Sequence, residues 1–341
     1  MLDIDGSFGE GGGQILRTAL SLSCLLKKPF RMFNIRKGRR KPGLMPQHLA
    51  CVRLLSLISN AKVGGADVGS TEMVFEPGDP KPGDYFFDIG TAGSTTLLLQ
   101  AVLPPLIFAR DSSRITLVGG THVPFSPPYH YISEIFLPML GRLGIEVHSS
   151  IERHGFYPKG GGKISVTVEP CSGIDGISFQ ERGDISSVTG ISAVGKLPLS
   201  IAERQKRAAG AVLAGMPVLP DIRTVGVDSF SPGTFVFLKA ESPTCLSGFS
   251  SLGEIGKRAE AVGEEAAREL IRHLETGACI DLHLADQLVI YFGLAKGASR
   301  FTTSVISGHL MTNLIAIRQF LDISYTVEGE IGKPGRVAII P

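Results

Sequence analysis

Near the C-terminus one histidine, His309, stands in "TSVISGHLMTNL", between a β-prone run and an apolar run at helical spacing. A neutral imidazole is a competent nucleophile toward phosphorus, and a glycine-flanked strand-to-helix junction leaves it accessible. Its immediate neighbours offer no histidine or cysteine at metal-ligand spacing. A core histidine is the other reading, and periodicity does not choose between the two.

Three further stretches carry groups that could work with it. "GEGGGQILR" leads a glycine-rich turn into a helix, which brings backbone N–H groups and the positive helix end toward an anion. It lacks the G-K-[S/T] of a phosphate loop and the strand that precedes a dinucleotide fingerprint, so a tight structural turn also explains it. Glu10 there is suited to a divalent cation, and Arg17 lies one to two turns into the helix. "IRKGRRKPGLMPQH" concentrates Arg36, Lys37, Arg39, Arg40 and Lys41 in six positions, and arginines suit bidentate contact with phosphate. In "HLADQL", His283 to Leu288, Asp286 and Gln287 stand near the start of a helix, where Asp either complements the helix dipole or orients a ligand or a histidine. "RHGFYPKGGG" and "GTAGST" are two more glycine-rich turns with no role that their residues specify.

The elements that must position these residues are those of a globular protein. The chain has 341 residues, 43% hydrophobic and 19% charged, which supports a sizeable core and argues against disorder. A net charge of +2 excludes a nucleic-acid sponge, so an anionic partner must be held locally. Five scattered cysteines, Cys24, Cys51, Cys171, Cys245 and Cys279, without a C-x-x-C, argue against a disulfide framework and a zinc knuckle. The acidic, glycine-rich start is unlike a secretory signal, and "TTLLLQAVLPPLIFA" is too short and too interrupted to span a bilayer. A cytoplasmic protein without membrane partners is expected.

The text repeats. "ILRTALSLSCLL", "FRMFNI", a loop and "QHLACVRLLSLI" make a helix, strand, loop, helix unit, and residues 90 to 150 follow the same order. So do "ADQLVIYFGLAKG", "SRFTTSV" and "HLMTNLIAIRQFL", closed by the strand "ISYTVEG". Three such units predict an internally repeated α/β (α+β) protein. From about Gly183 to Thr276 the grammar changes, with its own strands and an amphipathic helix, so residues 184–276 are expected to form a smaller domain inserted ahead of the third unit. Residues 1–183 and 277–341 would then form the large catalytic domain.

Together "DGSFGEGGGQILRTALSLS", "IRKGRRKPGLMPQHL", "HGFYPKGGG", "LADQL" and "SGHLMTN" resemble the RNA 3'-terminal phosphate cyclase family. The resemblance runs from the N-terminus to about Phe320 and is loosest in the insert. It implies three repeats of a two-helix, four-stranded unit plus a smaller domain. It also implies a ligase that uses ATP to convert an RNA 3'-terminal phosphate to a 2',3'-cyclic phosphate. The histidine would take AMP with release of pyrophosphate and pass it to the RNA 3'-phosphate, and the neighbouring 2'-oxygen would then expel AMP.

Carried over by position, His309 becomes the nucleophile and Asp286 the residue that orients it or the nucleotide. Glu10 resembles the family's ligand for Mg²⁺ or Mn²⁺. Gln100, Pro128, Phe249 and the segment His283, Leu284, Ala285, Asp286 and Gln287 match nucleotide contacts. Arg17, Arg39 and Gln47 match residues that hold the RNA terminal phosphate. Gly308 stands where some members have cysteine, a change expected to leave the mechanism untouched; His283 stands where some have tyrosine, which alters a nucleotide contact. Two alternatives are a non-catalytic RNA-processing relative, which would lack the histidine, and an enolpyruvyl transferase, whose substrate site no motif marks. Homo-oligomerisation is compatible with the sequence.

Overall fold

The computed structural model describes the whole chain, Met1–Pro341. The first unit runs β1 (Leu2–Asp5), α1 (Gly13–Leu26), β2 (Phe30–Phe33), α2 (Pro46–Ser59), β3 (Lys62–Gly64) and β4 (Met73–Glu76). Its sheet has the order β1-β2-β4-β3, with β1 parallel to β2 and the other pairs antiparallel. Local chemistry sets these elements. In β2, Phe30 and Met32 face inward while Arg31 faces water, the alternation of a half-buried strand. Both helices stop at a left-handed residue, Lys27 and Asn60, whose N–H returns to a serine carbonyl of the last turn.

The second unit repeats the plan with β5 (Asp84–Asp88), α3 (Thr95–Ile107) and β6 (Ser113–Gly119). Its second helix comes in three segments, α4 (Tyr129–Tyr131), a π-helical turn (Ile132–Phe136) and α5 (Leu137–Gly141), before β7 (Val147–Arg153) and β8 (Gly162–Val168). The sheet order β5-β6-β8-β7 matches that of the first unit. Helix α3 continues through Pro104 and Pro105, which the sequence reading took as interruptions. They fall in its last turn, where the missing N–H groups release only the carbonyls one turn earlier.

Here the structure corrects the expected position of the insert. The short strand β9 (Ser178–Phe179) pairs parallel with β14 (Ser299–Thr303), far ahead in the chain. Between them lie β10 (Ser187–Gly195), α6 (Leu199–Leu213), β11 (Asp221–Gly226), β12 (Gly233–Glu241), β13 (Leu246–Leu252), α7 (Ala259–Glu275) and α8 (Leu282–Gly293). The third unit is therefore β9, α8, β14, α9 (Gly308–Arg318), β15 (Ser324–Glu328) and β16 (Gly335–Ile340), in sheet order β9-β14-β16-β15. The additional elements interrupt this unit after its first strand rather than preceding it. A two-residue strand has too little pattern to be legible without its partner. The sheet of the additional elements has a different order, β11-β10-β12-β13, and a separate small core that includes Ile222, Leu238, Phe249 and Leu270.

The fold is mixed α/β, three copies of a two-helix, four-stranded unit sharing one apolar core. No helix is long and apolar enough to cross a membrane. Helix α1 is the hub: it packs on α2, α3 and α9, while α8 packs on α9. Its residues Ile15, Leu16, Ala19, Leu20 and Leu22 are essentially inaccessible. Because the N-terminal turns of α1 and α9 meet, the glycine-rich loop and the histidine segment share one rim. We expect Leu20→Ala to cost about 2–5 kcal/mol in urea unfolding, the range for truncating a buried leucine; a loss below 1 kcal/mol would mean that α1 is not the hub.

Candidate active site

The hydroxyl of Ser307 caps α9 by accepting the Leu310 N–H at 3.0 Å, which starts the helix at Gly308 and sets His309 in its first turn. The His309 side chain is about half exposed, and its Nε2 lies 3.2 Å from Oε2 of Glu10. Glu10 belongs to the glycine-rich loop between β1 and α1. Its N–H donates to Thr312 Oγ1 at 3.3 Å, and the Thr312 hydroxyl donates to the Gly308 carbonyl at 2.7 Å. Gly9 is left-handed, and a Cβ there would collide with Thr312. Arg39, from the basic loop, brings Nη2 to 3.7 Å from the same Glu10 oxygen. One rim thus holds an imidazole, a carboxylate and a guanidinium contributed by three separate segments.

Partial burial pulls the His309 ring below the ordinary histidine range; Glu10 opposes this, and Arg17, Arg39 and His283 reinforce it. The ring is consequently neutral at pH 7, the form with a free lone pair. A Cβ at Gly308 would come within 2.5 Å of Glu10 Oε1, the end of a flexible side chain that a small shift would move clear.

Behind the rim lies a polar cavity of about 60 Å³, lined by Gln14, Arg17, Gln100, Asp286, Gln287 and Asn313 among others. Asp286 Oδ2 accepts Gln14 Nε2 at 2.6 Å. The Asp286 carbonyl accepts Asn313 Nδ2 at 2.7 Å, and Asn313 Oδ1 accepts the Thr18 hydroxyl at 2.7 Å. Burial pushes the Asp286 carboxyl up to about 7, although Arg17 and the Gln14 hydrogen bond pull the other way. Arg17 is itself lowered by burial and forms no ion pair. Five polar atoms on the wall have no hydrogen-bond partner: Gln14 Oε1, Ser21 Oγ, Gln100 Nε2, Gln287 Oε1 and Tyr291 OH. Buried polar groups are normally satisfied, so this wall is built for water or for a polar ligand.

The predicted residues divide accordingly. Glu10, Arg39 and His309 meet at the rim, and Arg17, Gln100, Asp286 and Gln287 meet at the cavity. Asp286 does not reach the imidazole; its link to α9 runs through Asn313. Gln47 spends both ends of its amide on the backbone of Ser94, which gives the "GTAGST" turn a role in holding α2 against α3. Arg36 donates to the Lys41 and Gly43 carbonyls and so shapes the basic loop from within. His283 is exposed on the first turn of α8, its ring centroid 6.1 Å from that of Tyr131 in a T-shaped pair and 6.4 Å from that of Phe249. Leu284 and Ala285 are fully buried, so their side chains pack α8. Pro128 caps α4 and is buried. Phe249 is 1% exposed in the small core and presents no open ring face to a base.

Sequence reasoning missed Gln14, Thr18, Thr312 and Asn313. The signal was present for the last two, since His309, Thr312 and Asn313 stand at i, i+3 and i+4, neighbours on a helix.

A family model described as RNA 3'-terminal phosphate cyclase matches residues 8–327. The RNA 3'-terminal phosphate cyclase of Sulfolobus acidocaldarius is 46% identical, covering 96% of this chain and 97% of that protein. That of Ignicoccus hospitalis is 42% identical, with 98% and 97% covered, and that of Methylococcus capsulatus 43%, with 94% and 91%. Among solved structures, the EPSP synthase of Acinetobacter baumannii is 12% identical at a TM-score of 0.30, covering 96% of this chain and 62% of that one. That likeness is too slight to carry an argument. With the match running almost end to end, including every segment that builds the rim and the cavity, the chain belongs to the RNA 3'-terminal phosphate cyclase family.

Proposed function

We propose that this protein joins AMP from ATP to His309, transfers it to an RNA 3'-terminal phosphate, and so drives closure to the 2',3'-cyclic phosphate. The observation that carries this reading is the half-exposed His309 beside Glu10 and Arg39. The Nε2 lone pair attacks the α-phosphorus, a phosphorus–nitrogen bond forms, and the bond to the leaving pyrophosphate breaks. A 3'-phosphate oxygen of the RNA then displaces the imidazole from that phosphorus. The terminal phosphate becomes part of an anhydride, and the 2'-oxygen attacks it and expels AMP. Adenylylation is needed because a phosphate monoester is a poor electrophile with a poor leaving group.

Glu10, an accessible carboxylate oxygen donor, suits a hard cation that keeps most of its waters, and Mg²⁺ or Mn²⁺ there would neutralise phosphate charge. Arg39 at the rim and Arg17 at the cavity, neither fully neutralised by the protein, are the cations offered to phosphates. Gln100 and Gln287 offer unpaired amide atoms to the nucleotide. Asp286 is a positioning residue: it holds Gln14 on α1 and, through Asn313, the first turns of α9.

Incubation with α-labelled ATP and Mg²⁺, followed by denaturing electrophoresis, should leave acid-labile label on the protein. His309→Ala should lose it, with turnover falling on the order of 10³-fold or more, as when a covalent nucleophile is removed. Label retained by His309→Ala would sink the proposal. Protonation removes the attacking lone pair, and the ring titrates below the ordinary histidine range. Labelling should therefore stay level through neutral pH and fall only in acid.

Asp286 gives a separate test. The folded carboxyl keeps its proton up to about 7, whereas an unfolded one releases it near 3.8. Between these values the native state binds more protons, so stability falls as pH rises through the window. In urea titrations Asp286→Asn should flatten this slope and exceed the parent at pH 8; an unchanged slope would show that another group produces it.

A further inference from the structure

On the face of the second unit that meets β12, three histidines come together that the proposed chemistry does not use. His122 follows β6, His130 lies on α4 and His154 follows β7. One ligand nitrogen from each lies within 4.8 Å of the other two. His122 is 2% exposed, its Nε2 is 2.9 Å from His130 Nδ1, and its Nδ1 is 2.9 Å from Thr121 Oγ1. The buried Nε2 of His154 has no partner. Phe235 of β12 lies on the cluster, its ring centroid 4.1 Å from that of His122.

We propose that His122, His130 and His154 form a binding site for a single transition-metal ion, best suited to Zn²⁺, within the second unit and beneath Phe235 of β12. Two arguments converge on it. His122 Nδ1 lies 2.9 Å from Thr121 Oγ1, and in the tautomer with Nδ1–H its Nε2 lone pair faces the other two rings. That threonine is itself fixed by accepting the Gly155 N–H at 2.9 Å, an outer-shell contact of the kind that orients metal-bound histidines. The orphaned His154 nitrogen, finally, would acquire the partner it lacks.

Zinc–nitrogen bonds of about 2.0–2.1 Å in a tetrahedron set the nitrogens roughly 3.4 Å apart. The widest pair must therefore close by roughly 1.5 Å, which imidazole rotation about the broad χ2 torsion can supply. Neither Glu10 nor His309 belongs to the cluster, so this ion is distinct from one that would serve the nucleotide.

The test uses the full chain, stripped with a chelator and titrated with Co²⁺ and Zn²⁺. One equivalent should bind, Co²⁺ should give the visible absorption of a low-coordinate site that Zn²⁺ abolishes, and Zn²⁺ should raise the Tm. His130→Ala and His154→Ala should each weaken binding at least roughly 10- to 100-fold, the scale at which even outer-shell changes are felt. Glu10→Gln should retain the equivalent. The proposal is overturned if the wild-type chain takes up no equivalent, if both histidine variants retain it, or if Glu10→Gln loses it. Should a histidine variant fail to fold, the wild-type absorption and Tm shift decide alone.

Discussion

The Glu10 N–H and the Thr312 hydroxyl meet across 302 residues of chain, and the Glu10 carboxylate lies against His309 one turn earlier on the same helix. Everything else at the site depends on that crossing. It requires the first and third units to share a core, which α1 provides by packing on α9. It also requires backbone to approach without side chains in the way. Gly9, left-handed and without a Cβ, leaves that room for Thr312.

The cavity behind this crossing is polar, and its wall groups are not all paired among themselves: Arg17 forms no ion pair, the Asp286 carboxyl is pushed up by burial, and five wall atoms have no protein hydrogen-bond partner. Such atoms call for water or a polar ligand as their partner.

Repetition explains why such a core exists. Each four-stranded sheet with two helices is too small to bury its own apolar face, and three of them stacked through α1, α3, α8 and α9 form one continuous interior. The additional elements depart after β9 and return before α8, and they add Ala193, Phe235, Phe237 and Leu246 to this interior while keeping a small core of their own.

The repeat of helix and strand, the amphipathic helices and the candidate set Glu10, Arg39, Asp286 and His309 were legible in the sequence, because periodicity and residue type are local properties. Motif order then tied them to one family. Tertiary structure alone decided that β9 belongs to the third sheet, since a two-residue strand exists only through its partner. It alone separated the rim of Glu10, Arg39 and His309 from the cavity of Gln14, Arg17 and Asp286. It gave Gln47 to the Ser94 backbone and Phe249 to the small core. It also assembled His122, His130 and His154, whose spacing in the chain resembles no ligand motif. Burial and distance between remote segments are properties of the folded chain, and no local pattern encodes them.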